Sequence, residues 1–503
     1  MDLPEIRRNV GLLLTISELA IASAVCKSWN ASFSSVLYSK IDWYDQSTSG
    51  IPSAEAIQSH ASQIRILQLD GDPIDIPIEA ITELEELRIP YGFTNSTNWE
   101  RLPPLIKRNL NLTKADLNVS EYGWTQEIVK EMSLNMALKR LRLTAGDVDS
   151  QTQEYIFDTC MHLHRLSLSI SNWCDGIYLD KWSQFPAIST LYLSIDSGLS
   201  PLQQLAIIQR CPKLETLYWF FSVEEFPTSE FCQVISTSCL QVKELTFHCQ
   251  SPSTRRGFSD ADLAMIFDSC REISSFYALD TEFSHLALHS LSRRFGSLTE
   301  LDLSDSSTLT STMVQVIMTS CPLLVTLSAT LLEARDIVGD AMMEDEKQIA
   351  GEEAKGMETQ KQPLVQDWVC VKLETLTLQI CGLENKPTRW HRIIFQQLAR
   401  LQNLEMLDIN PYNLTTLYRD SLDLRLEAGL GALNNLKRLE NLYFSGIRQN
   451  MEEQDLRWML QAWPKLKHIA GNLHYSMSNR NELEKILEER GILVSSDGRE
   501  GEM

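Results

Sequence analysis

Through the middle of the chain, aliphatic residues recur in a fixed frame. A small or apolar residue, often cysteine, is followed by aliphatic positions at +3, +6 and +8, and the frame returns every 25 or 26 residues. With Asn135, Cys160, Phe185 and Cys211 as zero points, the ladders are Leu138/Leu141/Leu143, Leu163/Leu166/Leu168, Ile188/Leu191/Leu193 and Leu214/Leu217/Trp219. Period-two alternation at +6 to +8 predicts a short strand with one face buried. Between ladders, segments such as PLQQLAIIQRC (201–211) and DADLAMIFDSC (260–270) carry apolar residues three and four apart. An early Pro or Asp in each suits a helix start. Each repeat therefore reads as strand, loop, helix and return.

Extended in both directions, the frame gives fifteen zero points: Ala61, Ile81, Asn109, Asn135, Cys160, Phe185, Cys211, Cys239, Cys270, Phe295, Cys321, Cys370, Leu401, Leu436 and Trp463. A repeat this short cannot close a core alone, so neighbours must stack on it. Parallel strands sit ~4.8 Å apart, whereas packed helices need ~8–10 Å. Such an array must bend, which predicts an α/β solenoid, a horseshoe with parallel strands on the concave face and helices outside. The ladders resemble leucine-rich repeats over about residues 55–475, and Cys-Pro-x-Leu-x-x-Leu at 211–217 resembles their cysteine-containing subclass.

One gap, from Cys321 to Cys370, is nearly two repeats long. Residues 335–366 within it carry many charges and no aromatic residue, the composition of a disordered insert. It divides the array into blocks 55–334 and 367–475. The insert is either a tolerated surface insertion or a regulatory one acting through Thr359 or its lysines. At the C-terminal end, 476–503, a capping helix over 479–491 is expected, followed by an acidic tail.

Composition then removes several function classes. The 503 residues are 43% hydrophobic with a formal charge of −22, which opposes nucleic acid or an anionic membrane surface as the main ligand. No run approaches the ~18 apolar residues of a membrane span, and MDLPEIRRNVGLLL does not read as a signal peptide. The five Asn-x-Ser/Thr sequons are accordingly expected to be unused, and a cytoplasmic or nuclear protein is expected. Six of the eleven cysteines stand at zero points, one per repeat. That is the distribution of small buried residues and not of a zinc cluster. No Gly-rich phosphate loop, HExxH or GxSxG occurs, and His162 and His164 read as loop residues. No catalytic residue, metal or cofactor is expected.

Residues 3–43 fall outside the frame. Leu3-Pro4 leads into Ile6, Val10 and Leu13 at helical spacing, and Ser17 is placed to cap a second helix carrying Leu19, Ile21, Ala22 and Val25. Val25-Cys26-Lys27-Ser28-Trp29 follows. Two or three helices in about 40 residues cannot bury that much apolar surface in isolation. Leu3, Pro4, Ile6, Val25, Cys26, Lys27 and Trp29 resemble the F-box pattern, which places residues 1–45 as a small all-α F-box. The resemblance implies docking on a Skp-type adaptor of a cullin–RING ubiquitin ligase. Leu3, Pro4, Ile6, Val10, Leu13 and Leu19 would supply the adaptor-binding surface, while Val25, Cys26 and Trp29 would form the F-box core and join it to the first repeat. The same residues could instead be the core of an N-terminal cap.

On the strands, +5, +7 and +9 point to the concave face. These positions carry Arg88, Lys114, Arg140, Arg142 and Arg165, then Tyr192, Tyr218, Phe220, His248 and Tyr277, then Glu300, Asp302, Thr326, Thr375 and Asp408. Basic residues beside aromatic ones suit an acidic or phosphorylated protein segment; an ordinary solvated strand face would also hold them. Taken with the resemblance, the expected function is substrate recognition in an SCF-type ubiquitin ligase, without catalysis of its own. A repeat scaffold or inhibitor with no ubiquitin link is the competing expectation.

Overall fold

The structure, a computed structural model, describes residues 4–44, 52–71, 76–93, 96–119, 124–173, 177–193, 198–221, 228–249, 258–278, 281–304, 306–339, 366–384, 386–409, 422–444 and 449–495. They fall into two bodies: residues 1–227 with 237–241, and residues 228–236 with 242–503.

The N-terminal body opens with three helices, α1 (Pro4–Gly11), α2 (Ile16–Val25) and α3 (Lys27–Leu37), and continues into parallel strands. The strands are β1 (Lys40–Tyr44), β2 (Ile66–Asp70), β3 (Glu86–Ile89), β4 (Lys114–Val119), β5 (Arg140–Val148), β6 (Arg165–Trp173), β7 (Thr190–Leu193) and β8 (Thr216–Phe221). Each pairs in parallel with its successor, in chain order. In the C-terminal body the same rule orders β9 (Glu244–Cys249), β10 (Ser275–Ala278), β11 (Glu300–Leu303), β12 (Thr326–Glu333), β13 (Thr375–Cys381), β14 (Met406–Ile409), β15 (Asn441–Phe444), β16 (His468–Ala470) and β17 (Leu493–Ser495). Register pairs equal frame positions: Leu141 lies opposite Leu166, and Leu301 opposite Leu327.

Every +3 and +6 residue of the fifteen ladders is buried, as is every residue at +8. In the last ladder +8 is Gly471. Its φ is +147°, and a Cβ there would stand 2.5 Å from the Phe444 carbonyl oxygen, so no side chain fits. Zero points are buried too, and several tie one repeat to the one before it. The Asn109 side chain accepts from Leu84 N at 2.7 Å and donates to Ile81 O at 3.0 Å; Asn135 donates to Asn109 O at 3.2 Å. Cysteine does the same more weakly: the Cys239 thiol donates to Ile208 O at 3.6 Å and the Cys370 thiol to Met318 O at 3.2 Å. Cysteine at these positions is thus a compact donor as well as a small apolar residue.

Many returns are helical, some with a side-chain cap and some, such as Thr125–Ser133 and Thr388–Leu398, without one. Ser200 caps Pro201–Gln209 with Pro201 in the first turn, and Ser259 caps Asp260–Ser269. Elsewhere the return shrinks to 3-10 turns, as at Ile78–Ala80 and Leu430–Asn435. Among the described residues no helix is long and apolar enough to cross a membrane.

Four expectations shift. The second helix is capped by Thr15, not Ser17. Thr15 Oγ1 accepts from Glu18 N at 3.3 Å while the Glu18 carboxylate accepts from Thr15 N at 2.8 Å. The helical segment does not run to residue 45, because residues 40–44 form the first strand. Residues 335–339 are not part of the insert: Ala334–Val338 is a helix with Ile337 and Val338 buried. The rest of the expected insert, apart from Gln366, lies outside the described residues, as does the acidic tail from residue 496. The closing helix spans Met477–Glu488 and is followed by a further strand, β17.

Candidate functional site

The three N-terminal helices bury little. Their core consists of Leu19, Ala22, Phe33 and Val36, with Leu14 and Leu37 packed against it. Gly11 brings α1 onto α3: a Cβ there would meet the Phe33 ring at 3.1 Å and Val36 at 3.2 Å. Arg7 donates to the Ser28 hydroxyl at 2.9 Å. Against those four buried residues stand eight exposed large apolar ones: Ile6, Val10, Leu12, Leu13, Ile16, Ile21, Val25 and Trp29. Scattered apolar side chains are normal on a surface, but eight within 24 residues of one small segment are a high density of exposed apolar surface.

This division differs from the sequence expectation. Ile6, Val10 and Leu13 are exposed, Leu13 at 86%, and available to a partner. Leu19, expected on the docking surface, is only 5% exposed because it and Ala22 form the face of α2 turned to Phe33 and Val36. Val25, Cys26 and Trp29, expected as core, are exposed. Val25 lies about 120° around the helix from Leu19. Cys26 is the extended residue between α2 and α3, with φ −161°. Trp29 rests edge-on against Phe33, centroids 5.5 Å apart, and remains 39% exposed. A hydrogen bond with the Ser28 hydroxyl, then one with the Trp29 backbone, holds the Cys26 thiol below its usual range. Leu3 and the side chain of Pro4 lie outside the described residues.

The second candidate is the open face of the N-terminal body's sheet. Here the frame places side chains in two rows. One row reads Glu86, Lys114, Arg140, Arg165, Thr190 and Thr216; the other reads Arg88, Asp116, Arg142, Ser167, Tyr192 and Tyr218. All but Thr190, Thr216 and Tyr218 line a groove of about 410 Å³. The structure therefore brings together Arg88, Lys114, Arg140, Arg142, Arg165 and Tyr192, with Tyr218 stacked on Tyr192 at 4.1 Å. Phe220 is half-buried on β8. Tyr277 stands on β10 of the other body and is not part of this groove. The side chain of His248 lies outside the described residues.

Two carboxylates that sequence reasoning passed over sit among the cations. Glu86 accepts from Arg88 Nε at 2.6 Å and from Lys114 Nζ at 3.2 Å. Burial raises its pKa, but the hydrogen bonds from Arg88 and Lys114 outweigh it and hold the carboxyl below its usual range. Asp116 lies 3.8 Å from Arg142, and burial pushes its pKa up despite Arg142 and Arg88. Both occupy +5 or +7 of the Ile81 and Asn109 repeats, so the frame that found the cations was sufficient to find them. Arg140 makes no ion pair among the described residues, and the Arg165 guanidinium lies 5.2 Å over the Tyr192 ring.

No family model matches the chain. No curated protein matches it either. Among solved structures the chain is similar to the crystal structure of the leucine-rich repeat-containing protein LegL7 from Legionella pneumophila. The two are 14% identical over 57% of this chain and 90% of that one, with a TM-score of 0.30. A likeness at that level carries no weight. The leucine-rich-repeat architecture rests on fifteen buried ladders and the parallel register that joins them within each body.

Proposed function

We propose that the protein is the substrate-recognition subunit of an SCF-type (Skp–cullin–F-box) ubiquitin ligase, cytoplasmic or nuclear, with helices α1–α3 docking a Skp-type adaptor and the open sheet face holding a protein target. The observation that carries this reading is the exposed apolar surface of α1–α3. A segment that buries four apolar residues and exposes eight gains stability when a partner covers them, at about 1.5–3 kcal/mol per large side chain fully buried. The receptor contributes no chemistry. It raises the effective concentration of target lysines near a ubiquitin carrier supplied by other subunits.

A second reading has its own support. Helix α3 runs into β1 almost without a break, and Tyr38 stacks on His60 with ring centroids 3.9 Å apart. An N-terminal cap on a repeat scaffold or inhibitor would be joined in the same way. Co-purification with a Skp-type adaptor separates the two. Removing residues 1–37, which spares β1, or introducing Leu13→Asp with Ile21→Asp should reduce adaptor capture at least tenfold. Capture unchanged in both variants leaves the scaffold reading standing and ends the ligase one.

A further inference from the structure

The five cations that line the groove are not equivalent. Arg88 and Lys114 are both committed to Glu86, and Arg142 is the nearest cation to Asp116. Arg140 and Arg165 remain. They lie opposite each other in register on β5 and β6, both exposed, about 4.8 Å apart at the backbone. Two guanidinium groups at that spacing can each donate two N–H bonds to one tetrahedral dianion. One row over and two strands along, Tyr192 and Tyr218 stack with an interplanar angle of 13°, and Arg165 already leans over the first ring. A paired aromatic surface of this kind accepts another flat apolar side chain.

We propose that this face binds a phosphorylated peptide segment of the target in two parts, the phosphate between Arg140 and Arg165 and an aromatic side chain of the same segment on the Tyr192–Tyr218 pair. Two strand spacings and two residues along the strand separate the subsites by about 12 Å. An extended peptide advances ~3.3 Å per residue, so the aromatic residue lies three or four positions from the phosphorylated one. The inference rests on the reading that the sheet face holds the target. It is tested on the receptor alone, so its failure leaves the adaptor experiment untouched.

The test is fluorescence anisotropy with the full chain and a labelled, otherwise neutral peptide. The peptide carries one phosphoserine and one Phe placed two to six positions away. Binding should be at least tenfold tighter than to the unphosphorylated peptide, with its optimum at three or four. Arg140→Ala and Arg165→Ala should each weaken it at least tenfold, and Arg88→Ala less than threefold. Tyr192→Ala should cost about fivefold with the Phe peptide and nothing once that Phe is replaced by Ala. Each of four results overturns the proposal: equal binding of the unphosphorylated peptide, indifference to spacing, an Arg88 effect equal to that of Arg140, or displacement of the peptide by equimolar inorganic phosphate.

Discussion

The two bodies are built on the same interior pattern and differ on their faces. Both bury the same +3/+6/+8 ladder, yet the eight described strands of the N-terminal body carry Lys40, Arg88, Lys114, Arg140, Arg142 and Arg165, whereas the nine described strands of the C-terminal body carry no lysine or arginine. Where the first face presents exposed cations, the second has Glu300, Asp302 and Asp408, two of them well satisfied or buried. Asp302 accepts from Ser304 N at 3.0 Å and Ser304 Oγ at 2.7 Å, and Asp408 is buried. The ladder fixes the scaffold and leaves alternate strand positions free, so two stretches built on one frame can acquire opposite electrostatics at little cost to folding. A total charge of −22 hides this, because the six strand cations are a small share of the 45 lysines and arginines in the chain.

If the interiors are equivalent, truncating a ladder must cost the same in each. Leu143→Ala and Leu303→Ala, both in fully buried positions, should each lose about 2–5 kcal/mol, read from denaturant midpoints; a wide gap between them would end the equivalence. Reversing the free cations with Arg140→Glu and Arg165→Glu should weaken capture of the phosphorylated peptide by about 100-fold, roughly 2.7 kcal/mol, with Tm unchanged. Removing the internal counterion with Glu86→Gln frees Arg88 and Lys114. Peptide affinity should rise severalfold while stability falls by about 1 kcal/mol. The wild-type contribution of Glu86 is fully present above the usual glutamate range and is lost as pH falls through its lowered folded-state value. A pH titration of the variant should therefore lack that component. The smallest effect belongs to the other face. Burial raises the Asp302 pKa in the folded state, so its ionised form is a penalty at neutral pH. Asp302→Asn should stabilise by a few tenths to about 1 kcal/mol at pH 7, and the gain should vanish as pH falls and the wild-type carboxyl takes up its proton.

The repeats were legible because burial of every second strand residue leaves a fixed signature, and no tertiary context overrides it. The two end strands were not, for a reason their register exposes. Projecting the frame backward from Ile41 opposite Leu67 puts Ser35 and Tyr38 at the zero and +3 positions, and projecting it forward from Val494 opposite Ile469 puts Glu488 and Gly491 there. Terminal repeats have only one neighbour to pack against and keep the strand while losing the aliphatic marks. On the open face the cations and the two acids among them, Glu86 and Asp116, obey one spacing, so position alone marks both kinds and their pairing is visible only in the structure. In α1–α3 helical periodicity marked apolar residues correctly but could not divide them between core and surface, since that depends on which helix Phe33 and Val36 meet.

The zero-point thiols have a practical consequence. Burial raises the pKa of each that is resolved, to about 12 for Cys270 and Cys370, so an alkylating reagent at neutral pH meets an unreactive, enclosed thiol until the surrounding repeat opens. Cys26, exposed and with a lowered pKa, is the open thiol against which the buried ones are timed. From Cys160 to Cys370 the chain thus carries a row of built-in clocks, and the order in which they are alkylated records where along the array unfolding begins.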